Sequence, residues 1–191
     1  MSLLGLDIGT TGCKAIIFGE DGTILASAYR EYPLIYPQPG WIELDPRLVW
    51  SRTEDAICQA AARAGGHDSV QALAASVQGE AVCPVDADGQ PLANSIVASD
   101  NRTVPQAQQL GEALGTARVY QVSGQPLHPM STVNKIAWWK QNQPEVYERA
   151  RKFLCYGDFA LMKLGIAPVM DTSMAARTMG RCADEDRMLS R

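Results

Sequence analysis

One short segment near the start of the chain combines residues that suit phosphate chemistry. Asp7 ends an apolar run and Lys14 closes the segment, with Gly9, Thr10 and Thr11 between them. Glycine lets backbone N–H groups approach phosphate oxygens, threonine hydroxyls add donors, and a carboxylate can hold Mg²⁺ through its water shell. This order of residue types predicts a phosphate and magnesium site, with Asp7 on the metal side.

The same segment has a plainer interpretation as a glycine-rich hairpin in which Asp7 only caps the turn. It is not a Walker P-loop, because GTTGCK is shorter than G-x-x-x-x-G-K-[ST] and lies between two strands rather than before a helix. The segment by itself leaves the phosphate site and the structural hairpin as alternatives.

The elements around this segment follow from the hydrophobic pattern. Apolar runs on both sides of it, with a second turn at Asp21-Gly22, predict a three-strand antiparallel meander. Residues 36–46 contain three prolines and a glycine, which exclude regular structure there. The start of the chain is therefore expected to be a small sheet followed by an irregular loop.

A helix is predicted from Pro46 to Ala64. Asp45 suits the N-cap, Pro46 suits the first helical position, and Gly65 and Gly66 should end the helix. Its inward face is predicted to be Leu48, Val49, Ile57 and Ala61.

The rest of the chain alternates strand and helix patterns. An apolar, buried strand is expected over 70–77, a hairpin turn at Asp88-Gly89, and short strands in AVCPVD, SIVAS and KFLCY. Helices are expected over about 104–114, 133–142, 144–150 and 158–164. Together these elements predict a mixed α/β domain.

The composition of the chain argues against several classes of function. The 191 residues carry a net charge of -4, so they offer no basic excess for nucleic acid or an anionic membrane, and neither is expected as a partner. The five cysteines are widely spaced without a C-x-x-C pair, which is typical of reduced, mostly buried thiols. The N-terminus has no basic region and only a short apolar run, so we expect a cytoplasmic protein.

Longer motifs resemble a known family. LLGLDIGTTGCKAIIFGEDG, followed by PQPGWIELDP and Trp50, is similar to the start of the FGGY carbohydrate kinases, which include xylulose, glycerol and gluconate kinases. The first motif also suits other actin-like ATPases, whereas the second is a sugar-kinase feature. Further similarity continues to about residue 180, at Gln78-Gly79-Glu80, Asp100 to Thr103, Ser123 to Leu127, Gly157-Asp158 and Asp171 to Ser173.

The resemblance implies an actin-like (ribonuclease H-like) α/β fold, with residues 1–191 forming the N-terminal half of a two-domain sugar kinase. It implies transfer of the terminal phosphoryl group of ATP to a hydroxyl of a small sugar or polyol, assisted by Mg²⁺. Carried over residue by residue, Asp7 organises Mg²⁺, Gly9, Thr10 and Thr11 face the phosphates, and Lys14 is the cation beside them. Phosphoryl transfer needs mainly positioning and charge neutralisation, which these residues can supply.

The substrate side is expected in the second half of the resemblance. Gln78, Gly79 and Glu80 follow the 70–77 strand, where family members place groups that bind substrate hydroxyls. Gly79 stands at the position of a glycerol kinase arginine, and Met130 falls near the position of an aromatic pocket residue. These departures argue against glycerol, and the Met-His pair of xylulose kinases is absent too. We therefore expect another sugar or polyol.

Asp100 has two interpretations. The resemblance places an acidic residue like it near the substrate pocket, but the tryptophan that normally precedes it is missing in Ala98-Ser99-Asp100. The alternative is that Asp100 caps the helix beginning near Val104 or pairs with Arg102. The sequence leaves these about equally favoured.

Family members are usually much longer than this chain. Their general base and most of their adenosine pocket lie beyond the position of residue 191, so we expect no catalytic base within the chain, a missing C-terminal nucleotide-binding domain as its natural partner, and no useful ATP turnover by the chain alone. The alternative is a non-catalytic module that kept the fold to bind a sugar or a partner. A homodimer is compatible with either.

Overall fold

A computed structural model of the chain describes residues 1–65, 69–182 and 187–188. These residues form two compact units, one built from Met1–Leu34 and Leu44–Gln78, the other from Ile35–Glu43 and the described part of Gly79–Arg191. No helix within these described residues combines the length and apolarity needed to cross a membrane.

The secondary structure contains short strands and helices in alternation. The strands are β1 (Ser2–Ile8), β2 (Gly12–Gly19), β3 (Ile24–Glu31), β4 (Glu43–Leu44), β5 (Val70–Val77), β6 (Val82–Val85), β7 (Ser95–Ile96), β8 (Lys152–Cys155), β9 (Arg181–Cys182) and β10 (Arg187–Met188). The helices are α1 (Pro46–Arg63), α2 (Val104–Leu114), α3 (Thr116–Ser123), α4 (Thr132–Asn142), α5 (Pro144–Arg149), α6 (Tyr156–Lys163) and α7 (Thr172–Arg177).

The first unit contains a four-stranded sheet in the order β3-β2-β1-β5. β1, β2 and β3 are antiparallel neighbours, so the predicted meander is confirmed, and β5 returns parallel to β1. In this register Asp7 pairs with Lys14 on β2 and with Ser76 on β5. Direct partners on neighbouring strands share a sheet face, so the three polar side chains form one row.

Helix α1 packs against β2 and β3, and its predicted bounds are confirmed. The Asp45 carboxylate accepts from the Arg47 N–H at 2.8 Å, as an N-cap should. The helix ends before Gly65, which has a φ of 77°; Gly66 lies outside the described residues.

The predicted inward face of α1 is only partly right. Val49 is buried, but Ala61 is exposed and Leu48 and Ile57 are half-buried. The buried face continues instead through Thr53, Ala56 and Ala60. Thr53 can be buried because its hydroxyl donates to the Val49 carbonyl at 2.8 Å, a local bond that makes a polar residue acceptable in the core.

Strand β5 was expected to be buried, and this is wrong. Residues 70–76 are exposed, with Val70 at 42% and Leu73 at 37% of full exposure. The cause is position, because β5 is the last strand of its sheet order. An apolar run predicts a strand but does not distinguish a central strand from an edge strand.

The second unit contains the sheet order β4-β7-β6-β8, in which β6 is antiparallel to β7 and β8. Val82 and Ile96 pack there with Trp138 and Trp139 of α4. The Trp41 ring meets the Trp138 ring edge-on, with 5.3 Å between centroids. This aromatic cluster fixes α4 against the sheet.

Most predicted elements of this unit are confirmed. The Asp88-Gly89 hairpin is closed by the Asp86 N–H, which donates to the Gln90 carbonyl at 3.0 Å. The 36–46 loop was expected to be irregular throughout, but Glu43 lies in β4 and bridges Ile35. Helices α3 and α7 were not predicted, although Gly115 and Gly124 bracket the first and Asp171 caps the second.

Asp158 lies in the first turn of α6 and is 5% exposed. Within the described residues, its Oδ2 atom is buried without a hydrogen-bond partner. Burial raises the pKa of this carboxyl from its ordinary 3.8 to about 6, nearby Asp171 adds to the rise, and the Cys155 N–H opposes it. A buried carboxylate with one oxygen left without a hydrogen bond disfavours its own charge.

We expect the Asp158→Asn variant to gain stability over the original chain as pH rises. The folded chain has the higher pKa, so the unfolded chain ionises first and the original protein loses stability between about pH 4 and pH 6. The amide cannot ionise and should escape that loss. Urea unfolding at pH 4, 6 and 8 measures the difference. The matched variant at the exposed turn, Asp88→Asn, should show no comparable pH trend; an equal trend in both variants would contradict the role of burial.

Candidate functional site

The predicted phosphate segment forms the tight turn between β1 and β2. Its ends are joined by a hydrogen bond from the Gly9 N–H to the Gly12 carbonyl at 2.9 Å. Thr10 and Thr11 are exposed at the tip, and Asp7 and Lys14 are exposed at paired positions of the two strands. The structure therefore brings the predicted carboxylate, cation and hydroxyls to one hairpin.

Two side chains form hydrogen bonds with the backbone of the hairpin. The Tyr32 hydroxyl donates to the Gly9 carbonyl at 2.7 Å and is 3.0 Å from the Gly12 carbonyl. The Gln78 Nε2 atom donates to the same Gly9 carbonyl at 3.2 Å. Such bonds hold the backbone of the turn in one conformation, which is what a pre-organised anion site requires.

Gly12 is required by close packing. A Cβ atom at this position would lie 2.8 Å from the Arg30 carbonyl and would also meet the Tyr29 ring. The backbone of β3 thus approaches β2 too closely for any side chain there. Gly12 therefore has a packing role in the hairpin.

Gln78 is the predicted substrate residue whose surroundings differ most from expectation. Its backbone N–H donates to the Ile8 carbonyl at 2.8 Å and its side chain reaches the hairpin. Its Oε1 atom is buried and, among the described residues, has no partner. The geometry makes Gln78 a positioning residue of the hairpin, and contact with substrate stays a prediction.

We expect Tyr32→Phe to lower the free energy of unfolding by about 1 to 2 kcal/mol, because the hairpin loses the one hydroxyl donor that the Gly9 and Gly12 carbonyls share. Amide hydrogen exchange at Thr10, Thr11 and Gly12 should also become faster. Urea unfolding and exchange measured by mass spectrometry test this. Tyr36→Phe, at a tyrosine that is 65% exposed, is the matched control and should leave both measurements unchanged. Equal effects of the two changes would remove Tyr32 from this role.

The second unit contains a cavity of about 450 Å³, lined by both polar and apolar residues. Its walls include the predicted substrate residues Glu80 and Met130. The full lining is Glu80, Gln125, Pro126, His128, Met130, Ser131, Ser173, Ala176 and Arg177. A volume of this size suits a small organic ligand.

Glu80 is the most heavily supported group of the cavity and is 1% exposed. Its Oε2 atom accepts from the Thr132 N–H at 3.2 Å and from the Thr132 hydroxyl at 2.9 Å, at the start of α4. The Arg177 Nε atom lies 3.5 Å from Oε1. Burial raises the pKa of Glu80, while Thr132, Lys135 and Arg177 act to lower it. Its two oxygens are thus held in fixed positions.

Lys135 is a buried support that the sequence did not assign to the site. It is 0% exposed, and its Nζ atom donates to the Glu80 carbonyl. Burial lowers the pKa of Lys135 to about 8, against the opposing effect of the Glu80 carboxylate. In the sequence Lys135 is a lysine three residues before Trp138 in a predicted helix, and this spacing does not show that the lysine points inward.

Asp100 is held by its neighbours and does not line the cavity. Its carboxylate, 1% exposed, accepts from the Ile42 N–H at 2.6 Å and from the Arg102 guanidinium at 2.8 to 3.0 Å. Arg102 also bonds Glu43 at 2.8 Å and lies 4.0 Å from the Trp41 ring centroid. The predicted alternative, pairing with Arg102, is what the structure shows, and a substrate contact stays a prediction.

Comparison with known proteins identifies the family. Residues 2–181 match the model of the FGGY family of carbohydrate kinases, N-terminal domain. The chain belongs to this family. The predicted actin-like α/β fold of FGGY kinases is confirmed by a xylulose kinase from Rhodospirillum rubrum, with a TM-score of 0.93 and 25% identity over 98% of this chain and 39% of that one.

Other FGGY-type proteins are similar over the same part. A glycerol kinase from Gloeobacter violaceus is 34% identical over 181 residues, which cover 93% of this chain and 36% of the relative. A gluconate kinase from Lactobacillus acidophilus has a TM-score of 0.88 and 28% identity over 98% of this chain and 38% of that one. The present FGGY chain thus spans little more than a third of the length of these relatives.

Proposed function

We propose that this chain supplies the substrate cavity and a phosphate-binding hairpin of an ATP-dependent carbohydrate kinase. The observation that carries the proposal is the buried Glu80 carboxylate in the wall of the cavity, at a position that the family resemblance assigns to substrate binding. The substrate class is a small sugar or polyol, since glycerol, xylulose and gluconate kinases are the similar proteins.

The cavity can bind hydroxyl groups in a defined orientation. Both oxygens of Glu80 are fixed, and Oε1, at 3.5 Å from the Arg177 Nε atom, keeps capacity to accept a substrate hydroxyl. Met130 adds an apolar surface, and Ser131 and Ser173 add hydroxyls. With Gly79 and Met130 where glycerol kinases have larger residues, a sugar or polyol other than glycerol is the favoured ligand.

The hairpin residues fit a nucleotide phosphate with Mg²⁺. Asp7 and Lys14 are exposed on one sheet face, and the exposed Thr10 and Thr11 follow at the turn. Asp7 would hold Mg²⁺ through water, Gly9 to Thr11 would face the phosphates, and Lys14 would offset their charge. The bound metal would supply charge neutralisation during phosphoryl transfer. Gln78 and Tyr32 keep the turn in place for this role.

Calorimetric titration of the 191-residue chain with glycerol, D-xylulose and D-gluconate tests the proposed substrate binding. We expect saturable binding of at least one of the three, with D-xylulose or D-gluconate bound more tightly than glycerol. Injection of each probe into buffer without protein measures the heats of dilution. An absence of saturable binding for all three probes would overturn the proposal.

We expect the chain to bind such a ligand without releasing ADP from ATP. Among the described residues that line the cavity, Glu80 is the carboxylate, and Thr132 and Arg177 already engage it. A general base must reach the proton that it removes and be free to accept it. A coupled ADP assay with the ligand that binds best measures this, and robust ligand-dependent ADP release would contradict the assignment.

A further inference from the structure

The space beside Gly79 is occupied by a side chain from another element. A Cβ atom at Gly79 would lie 3.5 Å from the Arg177 Nη2 atom and 3.6 Å from its Cζ atom. The guanidinium group therefore lies in van der Waals contact with the site where a side chain of residue 79 would begin. Gly79 is the position at which the family resemblance places an arginine in glycerol kinases.

Arg177 reaches this place from the last turn of α7. The cap formed by the Asp171 carboxylate with the Met174 N–H, at 2.9 Å, fixes the start of this helix. The following residue, Thr178, accepts from the Val133 N–H of α4 at 3.1 Å. Thr132 of α4 also hydrogen-bonds to Glu80. Contacts with α4 therefore help to position both the Arg177 guanidinium and the Glu80 carboxylate.

The Arg177 side chain has donors to spare. It is 48% exposed and lines the cavity, and among the described residues its ion pair with Glu80 is long, at 3.5 Å between Nε and Oε1. A guanidinium has five N–H donors in a planar fork, so several of them can face the cavity. A donor group beside an oriented carboxylate matches two neighbouring hydroxyls, one accepting from arginine and one donating to glutamate.

We propose that Arg177 contacts the substrate and, together with Glu80, determines which ligands the cavity binds. This inference rests on the proposed function. It predicts that the chain selects ligands with two adjacent hydroxyls through an Arg177 and Glu80 pair.

The central experiment is calorimetry of Arg177→Ala with whichever of glycerol, D-xylulose and D-gluconate the original chain binds best. We expect the dissociation constant to rise by about tenfold to a hundredfold, the effect of losing a charge-assisted hydrogen bond. Arg149→Ala is the matched control, because Arg149 is an exposed arginine at the end of α5 and does not line the cavity. Its dissociation constant should change less than twofold.

The outcomes separate the two proposals. If the original chain binds none of the three probes, the proposed function fails and this inference fails with it. If the original chain binds but Arg177→Ala binds equally well, only the inference is overturned. Should Arg177→Ala unfold, judged by circular dichroism, Arg177→Lys replaces it: the lysine keeps the charge and stem but loses the fork, so unchanged affinity in that variant also overturns the inference.

Discussion

Replacing Glu80 by glutamine should weaken binding of the sugar or polyol by about tenfold to a hundredfold, while the chain stays folded. Glutamine has nearly the shape of glutamate, so its carbonyl oxygen can still accept from Thr132. Its NH₂ group, however, would face both the substrate hydroxyl and Arg177, which are donors themselves. Calorimetry with the best-bound probe measures the loss.

The matched control for this prediction is Glu148→Gln. Glu148 is an exposed glutamate on α5 and loses the same charge at a site away from the cavity lining. We expect it to leave the dissociation constant unchanged. If Glu80→Gln binds as tightly as the original chain and has the same unfolding midpoint, the Glu80 charge has no part in substrate recognition.

Replacing Arg102 by methionine should cost about 3 to 5 kcal/mol of the free energy of unfolding, because it leaves a buried carboxylate without its counter-ion. The Asp100 and Arg102 side chains are 0% and 2% exposed, so water cannot take the place of the guanidinium. The change also removes the cation stacked on Trp41 and the bond to Glu43. Urea unfolding followed by tryptophan fluorescence measures the loss.

The double variant Asp100→Asn with Arg102→Met distinguishes an uncompensated charge from lost packing. Removing both charges should recover part of the stability that Arg102→Met loses, since no buried ion is left alone. The Ile42 N–H can still donate to the asparagine oxygen. A double variant at least as unstable as Arg102→Met would show that packing against the tryptophans, rather than the charge, dominates.

Local sequence signals predicted the elements that have clear starts and ends. Asp45 before Pro46 marked α1, and the glycine turns at Asp21-Gly22 and Asp88-Gly89 marked the hairpins. These signals work because the cap or turn residue acts on its own backbone. The inward face of α1 was less predictable, because Thr53 is buried by virtue of a bond to Val49 that its residue type does not announce.

Site residues that lie close together in the sequence could be predicted from their types. Contacts between residues that are far apart in the sequence could not. The hairpin from Asp7 to Lys14 could be identified because its members are close in sequence. Gln78 reaches a carbonyl 69 positions away, and Arg177 meets Gly79 from α7. Pairings over such separations are set by the tertiary fold, so the sequence did not reveal the contact of Gln78 with the hairpin or that of Arg177 with Gly79.

The sequence offered two predictions for Asp100, and the structure shows one of them. The family resemblance favoured a place near the substrate, whereas the short spacing to Arg102 favoured an ion pair. The fold satisfies the local alternative and adds the Ile42 N–H, which no spacing rule could supply. The absence of a tryptophan before Asp100 already argued against the substrate pocket there, because that pocket would lack its aromatic wall.

Strand β5 gives the chain a property that matters for handling it. Its outer edge lies at the end of the sheet order and carries small and apolar side chains, with no lysine or proline along its eight residues. Such an edge offers backbone donors and acceptors to any extended peptide, including the same strand of another molecule. Self-association of concentrated samples should therefore start at β5, and binding measurements belong at low protein concentration.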